Sequence, residues 1–242
     1  MPADVPTIVA TSGGWVPGRR TRVALGPLVR HALDLSGVSS RAPRVTFVGT
    51  AGGDQAYWTA WALEAAADAG VDGAVLSLFP MPNVDDVAGL LHGSDVVWVN
   101  GGSVANLLAV WRVHGLDRLM REAWRAGVVL GGVSAGSICW HTGGTTDSFG
   151  PDLRPVTDGL AFLPYGNGVH YDTEAGRRPL LHRLVAEGTL PLSYATDDGV
   201  GIVYRGTEPA DVVSERDGAA AYRVEAHDGS AVETRLDPRR LP

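Results

Sequence analysis

The residues best suited to chemistry are the five at positions 132–136, which read Gly-Val-Ser-Ala-Gly. They follow an apolar stretch, residues 128–133, and precede a segment, residues 135–140, that favours a helix. A serine between small residues at such a junction is typical of a nucleophile elbow, in which a tight turn lifts the hydroxyl above the edge of the sheet. The first N–H groups of the following helix can stabilise developing negative charge. We predict that Ser134 is a nucleophile; a buried serine in a tight strand-to-helix turn is the alternative.

A serine nucleophile needs a base and a group that orients the base. The chain has seven histidines. His170 follows the glycine-rich residues 165–168 at the end of a predicted strand, where functional side chains collect in open α/β sheets. His141 is closer to Ser134 in sequence, but it lies about two helical turns further on. We therefore predict His170 as the base.

Carboxylates follow another apolar stretch, residues 192–195. Asp197 and Asp198 come directly after it, and carboxylates at a strand end can orient an imidazole. Asp147, Asp152, Asp158 and Asp172 are further candidates, and the residues by themselves leave the choice open. A serine, histidine, aspartate order along the chain differs from the serine, aspartate, histidine order of α/β-hydrolases. This order argues against an ordinary esterase or lipase.

Two further features could complete a site. Residues 100–103 read Asn-Gly-Gly-Ser after a predicted strand, and such a turn leaves amide groups unhindered. One of them could form half of an oxyanion hole, with the N–H of Ala135 as the other half; a simple tight turn or a phosphate nest is the alternative. Arg177 and Arg178 could bind a substrate carboxylate through a guanidinium fork, although a solvated basic helix start has the same pattern.

Composition excludes several kinds of chemistry. All 20 basic residues are arginine, so a Schiff-base lysine, a Walker lysine and a Ser-Lys dyad are absent. The single cysteine, Cys139, forms neither an internal disulfide nor a zinc cluster. The net charge of −7 argues against nucleic-acid binding. We expect no cofactor, no metal and no nucleic-acid partner.

The chain shows no targeting signal. Its first six residues carry no basic group, and the apolar run at residues 7–11 is far shorter than the about 20 residues that a membrane span needs. We expect a soluble cytoplasmic protein without a membrane partner.

Short β-branched runs alternate with helical stretches up to residue 140. The predicted strands are residues 7–11, 44–49, 73–79, 95–99 and 128–133, and the predicted helices are residues 21–35, 55–69, 84–91, 103–113 and 116–126. Strands that are apolar on both faces and alternate with helices indicate a parallel sheet covered on both sides.

The pattern changes after residue 140. Residues 143–158 are typical of a loop, residues 176–187 of a helix and residues 192–196 of a strand. Residues 200–236 alternate apolar and polar side chains between turns, which indicates antiparallel hairpins. We predict one α/β domain over residues 1–242, with a core of about 7–205 and an antiparallel hairpin tail of about 206–236.

Together these residues resemble the peptidase E family of serine dipeptidases, which includes the cyanophycinases and shares the class I glutamine amidotransferase-like fold. The resemblance covers residues 7–205 and is carried by Gly101-Gly102 with Asn106-Leu107-Leu108, by residues 132–136, by His170 and Arg177, and by Asp198-Gly199. Glutamine amidotransferases have cysteine at the elbow. Ser134 in that place favours a peptidase.

The resemblance implies hydrolysis of small Asp-Xaa dipeptides through an aspartyl acyl-enzyme. Ser134 would attack, His170 would act as base, and the N–H groups of Gly102 and Ala135 would hold the oxyanion. Arg177 would bind the carboxylate of the substrate aspartate.

Well-known family members have glutamate as the third residue of the triad. This chain offers aspartate there, and we predict Asp198 because it precedes Gly199 as the family glutamate precedes a small residue; Asp147 is the reserve.

Two other functions are compatible with the sequence. A cyanophycinase-like β-aspartyl peptidase is the first, although 242 residues leave little room for an extra domain. A non-catalytic module that binds small molecules on the same fold is the second. The oligomeric state is not determined by the sequence, and a homodimer is possible.

Overall fold

The computed structural model describes residues 3–242 of the chain. The α-helices are α1 Pro27–Leu35, α2 Ala56–Asp68, α3 Val87–His92, α4 Val104–His114, α5 Leu116–Arg125, α6 Ala135–Ile138 and α7 Arg177–Ala186. The strands are β1 Thr7–Thr11, β2 Trp15–Pro17, β3 Val23–Leu25, β4 Arg44–Val48, β5 Asp72–Leu76, β6 Val96–Val99, β7 Val129–Val133, β8 Gly143–Thr146, β9 Arg154–Val156, β10 Gly166–Gly168, β11 Ser193–Thr196, β12 Val200–Arg205, β13 Glu208–Ser214, β14 Ala221–His227, β15 Ser230–Leu236 and β16 Arg239–Arg240. None of the helices within residues 3–242 has the length and apolar character needed to cross a bilayer.

The larger sheet has eight strands in the order β16-β13-β12-β1-β7-β6-β4-β5. Strands β1, β7, β6, β4 and β5 run parallel, while β12 is antiparallel to β1 and β13 to β12. The prediction of a mostly parallel sheet flanked by helices, with an antiparallel part toward the C-terminus, is confirmed. The carboxyl ends of the five parallel strands share one edge, where their loops can form a common site.

Strand β6 shows why the central strands are apolar on both faces. Val96 and Trp98 pack with residues of α1 and α2 on one face of the sheet, and Val97 and Val99 pack with residues of α4 and α5 on the other. All four side chains are fully buried. Successive side chains of a strand point to opposite faces, so a strand between two helical layers needs a continuous apolar run.

The smaller main sheet has six strands in the order β15-β14-β11-β10-β8-β9, of which β8, β10 and β11 run parallel. Tyr194 of β11 and Tyr204 of β12 pack with ring centroids 6.2 Å apart and join this sheet to the larger one. Helix α7 covers the opposite face, where Leu181 packs with Val224. Because β10 and β11 are parallel neighbours, the residues that follow them lie side by side.

The helix predicted over residues 21–35 is wrong in its first part. Residues Val23–Leu25 form β3, which pairs antiparallel with β2, and the helix begins at Pro27. Proline has no N–H and a fixed φ, which favours the first turn of a helix and disrupts its interior. A helix running through Pro27 would have lost a backbone hydrogen bond.

The loop predicted over residues 143–158 is also wrong, since it contains the antiparallel pair β8 and β9. Glycine usually signals a loop. Here a Cβ on Gly143 would lie 2.0 Å from the carbonyl oxygen of Val156, and one on Gly144 would lie 2.2 Å from that of Asn167. These glycines allow neighbouring strands to approach closely.

His141 lies in the core just after α6 and is fully buried. Its Nδ1–H donates to the carbonyl oxygen of Ser137 at 2.9 Å, and its Nε2 lies 3.4 Å from the hydroxyl of Tyr204. Burial lowers the pKa of His141 from 6.5 to about 4, because an imidazolium ion loses its hydration there. His141 is therefore a neutral core residue at neutral pH.

Acid should destabilise the fold through His141. An unfolded histidine binds a proton below about pH 6.5, whereas the folded chain protonates His141 only near pH 4. The unfolded state thus binds more protons in this window, and the free energy of unfolding falls as the pH falls. The shift is worth about 3 kcal/mol. Urea unfolding at pH 7 and pH 4.5 should show that the free energy of unfolding falls less for His141→Gln than for the wild type.

The matched control is His114→Gln, which changes an exposed histidine and should lose as much stability as the wild type. Equal losses in all three proteins would contradict the assignment.

Candidate active site

Ser134 lies where β7 ends and α6 begins, and its backbone is strained. Its φ of 57° and ψ of −113° are rarely adopted by residues other than glycine. Its N–H donates to Thr11 at 3.0 Å, and its carbonyl oxygen accepts from the N–H of Ser137 at 2.8 Å. Strain of this kind costs about 1–3 kcal/mol and persists only where the surroundings fix it. The Ser134 side chain makes no capping hydrogen bond to α6.

The glycines that flank Ser134 are required by packing. A Cβ on Gly136 would lie 2.2 Å from the carbonyl oxygen of Val99, and a Cβ on Gly132 would lie 2.5 Å from that of Gly136. Both distances are well inside van der Waals contact. The elbow can therefore press against β6 only because these residues lack side chains.

The loop after β6 lies directly beside the serine. A Cβ on Gly101 would lie 3.3 Å from the Cβ of Ser134. Gly102 has a φ of +135°, and a Cβ there would lie 2.3 Å from the carbonyl oxygen of Ala51, so this position requires glycine. Within residues 3–242 the N–H groups of Gly102 and Ala135 donate to no other residue. Both remain available to an oxygen of a ligand.

The smaller sheet brings His170 and Asp198 together. His170 follows β10 with a φ of +52°, and Asp198 lies in the turn after β11. The Nδ1–H of His170 donates to Oδ1 of Asp198 at 2.5 Å, and the hydroxyl of Thr173 donates to Oδ2 at 3.0 Å. A carboxylate at Nδ1 fixes the proton there, so Nε2 of the neutral ring carries none. Nε2 can therefore accept a proton.

Consecutive residues at the end of β1 connect the two sheets at this point. Thr11 accepts from Ser134, as described above. The hydroxyl oxygen of Ser12 accepts from the N–H of His170 at 3.1 Å, and its carbonyl oxygen accepts from the N–H of Gly199 at 2.9 Å. The serine, the histidine and the turn that carries Asp198 are thus attached to one strand end.

Ser134 and His170 are not hydrogen-bonded to each other among residues 3–242, where the His170 side chain pairs with Asp198. Contacts between a nucleophile and its base commonly tighten only when substrate is bound. The hydrogen bond to Asp198 therefore orients the imidazole before any hydrogen bond to Ser134 forms.

Asp197 and Asp147, the two main alternatives to Asp198, have different partners. Asp197 accepts from the N–H of Ala220 at 2.9 Å and from the hydroxyl of Tyr222 at 3.2 Å, and burial raises its pKa. Asp147 lies 3.9 Å from a guanidinium nitrogen of Arg177. Of the aspartates that the sequence offered, Asp198 is the one hydrogen-bonded to the imidazole.

Comparison with known proteins agrees with this architecture. The sequence model of Peptidase family S51 matches residues 8–211. The chain belongs to peptidase family S51. It is 41% identical over 182 residues to the uncharacterized peptidase YgaJ of Bacillus subtilis (strain 168). The aligned region covers 75% of this chain and 78% of YgaJ. The family resemblance drawn from the sequence is confirmed, and the protein is a peptidase.

Two solved structures share the fold of this S51 peptidase. A peptidase from an acI-B1 actinobacterium superposes with a TM-score of 0.70 at 17% identity, covering 97% of this chain and 95% of the other. A candidate peptidase E protein from Listeria monocytogenes EGD-e superposes with a TM-score of 0.58 at 17% identity, covering 96% and 98%.

Arg177 of the S51 peptidase is 2% exposed at the start of α7. Its Nε–H donates to Glu174 at 2.7 Å, and a second nitrogen donates to the carbonyl oxygen of Thr145. The third nitrogen faces Asp147, whose side chain is 62% exposed. A ligand carboxylate that reached Arg177 would therefore meet a guanidinium with two of its three nitrogens already bonded.

Sequence reasoning named Asp172 only as a candidate acid and missed Ser12 and Arg216, which also help to hold the His170 and Asp198 pair. Asp172 accepts from the N–H of Asp198 at 2.8 Å and pairs with Arg216. Partial burial raises the pKa of Asp172, but these hydrogen bonds outweigh that effect and lower it. A polar Ser12 directly after an apolar strand was a usable signal. Nothing local marked Arg216, which lies far along the chain.

Cys139 is fully buried five residues after the elbow, and burial raises the pKa of its thiol. A nucleophilic cysteine must be a thiolate in an accessible place. The environment of Cys139 provides neither.

Adding a methyl group at Gly136 should destabilise the protein. Gly136→Ala places a Cβ 2.2 Å from a backbone oxygen, and such overpacking costs about 1–3 kcal/mol or more. For a chain of this size we expect a fall in Tm of roughly 5 °C or more, measured by calorimetry. In Gly52→Ala the nearest atom is 3.8 Å away, and Tm should change little. A Gly136→Ala protein as stable as Gly52→Ala would show that the elbow is not tightly packed.

Proposed function

We propose that this S51 peptidase is a serine dipeptidase that hydrolyses dipeptides with an N-terminal aspartate. The hydrogen bond between His170 Nδ1 and Asp198 Oδ1 carries the proposal. This bond orients a histidine with a free Nε2, and both this histidine and Ser134 are bonded to the end of β1. A serine, an oriented imidazole and unused N–H donors together are the requirements for acyl transfer to a serine.

Acylation begins when Ser134 Oγ attacks the scissile carbonyl carbon and Nε2 of His170 takes the hydroxyl proton. The carbonyl oxygen becomes an oxyanion, which accepts hydrogen bonds from the N–H groups of Gly102 and Ala135. The imidazolium, stabilised by Asp198, then gives its proton to the leaving amine as the C–N bond breaks. The product is an aspartyl ester on Ser134 and a free amino acid.

Deacylation repeats these steps with water. Nε2 of His170 takes a proton from water as the water oxygen attacks the ester carbonyl. The same proton then passes to Ser134 Oγ as the ester bond breaks, which releases aspartate and restores the enzyme. Asp198 remains ionised in both halves and keeps the ring oriented.

The aspartate preference is assigned to Arg177, following the family resemblance. Its third guanidinium nitrogen lies 3.9 Å from Asp147, beyond hydrogen-bond distance. We propose that the substrate carboxylate takes the place of this exposed carboxylate. Because its other two nitrogens are bonded to Glu174 and Thr145, Arg177 offers the substrate carboxylate a charged hydrogen bond from this one nitrogen, and the low exposure of Arg177 strengthens that bond.

Removing the charge of Asp198 should abolish most activity. In Asp198→Asn the imidazole loses the acceptor that fixes its tautomer, and the comparable change in other serine peptidases lowers kcat by roughly 10⁴-fold. Asp147→Asn should keep the greater part of kcat, and Asp152→Asn in the same exposed segment is the matched control. Initial rates with Asp-Ala measure this. Near wild-type activity in Asp198→Asn together with its loss in Asp147→Asn would show that the acid is Asp147.

Substrate charge should decide the rate. Replacing the aspartate of Asp-Ala by asparagine removes the partner of Arg177, and a lost charged hydrogen-bonded pair costs about 2–5 kcal/mol. We expect kcat/KM for Asn-Ala to be at least about 30-fold lower than for Asp-Ala, and Glu-Ala to be cleaved more slowly than Asp-Ala. Equal rates on all three dipeptides would exclude Arg177 as the reader of a carboxylate.

A further inference from the structure

A cavity of about 230 Å³ lies beside Ser134 and has no part in the mechanism above. Gly101, Val133 and Asn100 form its inner wall, and Trp15, Tyr57 and Trp58 form its aromatic side. None of the residues that line it within residues 3–242 carries a charge.

The position of the cavity follows from the order of the strands. Its lining comes from the segments that follow β1, β4 and β6 and from the end of β7, and all four strands belong to the larger sheet. His170 and Asp198 follow strands of the smaller sheet, and Arg177 contacts Thr145 of that sheet. Strand β7, which ends just before Ser134, lies between β1, whose end is bonded to His170 through Ser12, and β6, whose end lines the cavity.

The aromatic side of the cavity is held in place by its own contacts. The rings of Trp15 and Trp58 meet edge to face with centroids 4.8 Å apart, and Trp58 meets Trp61 in the same way at 6.2 Å. The indole N–H of Trp15 donates to Oδ1 of Asn100 at 3.2 Å. Edge-to-face aromatic pairs contribute beyond the area they bury. The cavity is thus a pre-formed space with fixed walls.

Asn100 also provides an unused donor. Its Oδ1 is occupied by Trp15, and its Nδ2 is buried without a partner among residues 3–242. A buried donor without a partner destabilises the protein, because it has lost its hydrogen bonds to water. An oxygen of a bound peptide that reached this amide would remove that destabilisation.

We propose that this cavity binds the side chain of the second residue of the substrate, and that it selects an aromatic or branched aliphatic side chain there. This inference rests on the proposed function. If the N-terminal aspartate is held at Arg177, on the side of the smaller sheet, the other residue of the dipeptide extends across Ser134 toward the larger sheet. The cavity lies there.

Size and polarity define the preferred side chain. A protein cavity of about 150 Å³ accommodates benzene, so 230 Å³ is enough for the side chain of phenylalanine or leucine. A charged side chain would lose hydration against the aromatic walls without gaining an ion pair, which is unfavourable. Alanine would leave the cavity mostly empty.

The test compares Asp-Phe, Asp-Leu, Asp-Ala and Asp-Glu as substrates of the full chain. We expect kcat/KM for Asp-Phe and Asp-Leu to exceed that for Asp-Ala by at least about tenfold, and Asp-Glu to be the poorest. Equal kcat/KM for Asp-Phe and Asp-Ala would overturn the inference, while their cleavage would still support the proposed function.

A cavity-filling variant makes the test specific. Gly52 lines the cavity, and a Cβ there meets its nearest atom only at 3.8 Å, so Gly52→Leu can place a side chain in this space. It should remove the advantage of Asp-Phe, so that the variant cleaves Asp-Phe and Asp-Ala with similar kcat/KM. Leu63→Ala, at an exposed position of the same helix as Trp58, is the control and should keep the advantage. An unchanged preference in Gly52→Leu would count against the cavity.

Binding without turnover separates this inference from the proposed function. In calorimetric titrations of Ser134→Ala, Asp-Phe should bind at least about tenfold more tightly than Asp-Ala, and Gly52→Leu in that background should abolish the difference. If the wild type cleaves no Asp-Xaa dipeptide, the proposed function fails and this titration still decides the cavity. If Phe-Ala is cleaved and Gly52→Leu blocks it, the cavity holds the first residue and the assignment is overturned.

Discussion

The contact between the elbow and β6 is the constraint on which the site depends. Gly136 lies so close to the carbonyl oxygen of Val99 that no side chain fits between them. This approach forces the chain to leave β7 and enter α6 within one residue, Ser134, whose φ is therefore positive. The strain is sustained because β6 and β7 are buried on both faces by helices. Packing of the central sheet thus fixes the position of Ser134.

The end of β1 transmits this constraint to the smaller sheet. Thr11 is bonded to the elbow, and Ser12 is bonded to both His170 and Gly199. Parallel strands bring their carboxyl ends to one edge of a sheet. Because the end of β1 is bonded both to Ser134 and to His170, it can align these two residues without long loops. Asp172 and Arg216 then fix the turn that carries Asp198. The histidine and its acid are therefore oriented before any substrate binds.

The surroundings of Arg177 and the cavity beside Ser134 differ in character. Arg177, at the start of α7, has Glu174 and Asp147 around it, whereas the cavity is a neutral space lined by Trp15 and Trp58. A buried charge is stable only with partners, and an aromatic cavity gains most from apolar groups. In the proposed dipeptidase, this division would distinguish the two residues of the substrate by polarity.

Sequence alone determined the features that depend on short-range pattern. The apolar runs predicted the parallel sheet, and the small residues at 132–136 predicted the elbow at Ser134, because both patterns reflect local backbone geometry. The same reasoning failed at residues 21–35, where it overlooked Pro27 as a helix start, and at residues 143–158, where glycine meant close strand packing. Local signals do not distinguish a flexible glycine from one that is pressed against another strand.

Only the tertiary structure decided between Asp147, Asp197 and Asp198 as partners of His170, because all three follow strands or loops of similar composition. It also decided the surroundings of Arg177, which pattern alone would have left solvated, and assembled the aromatic cavity from segments far apart in the chain. Contacts between residues distant in sequence depend on how two sheets pack against each other. That arrangement is set by the whole core, and no single motif records it.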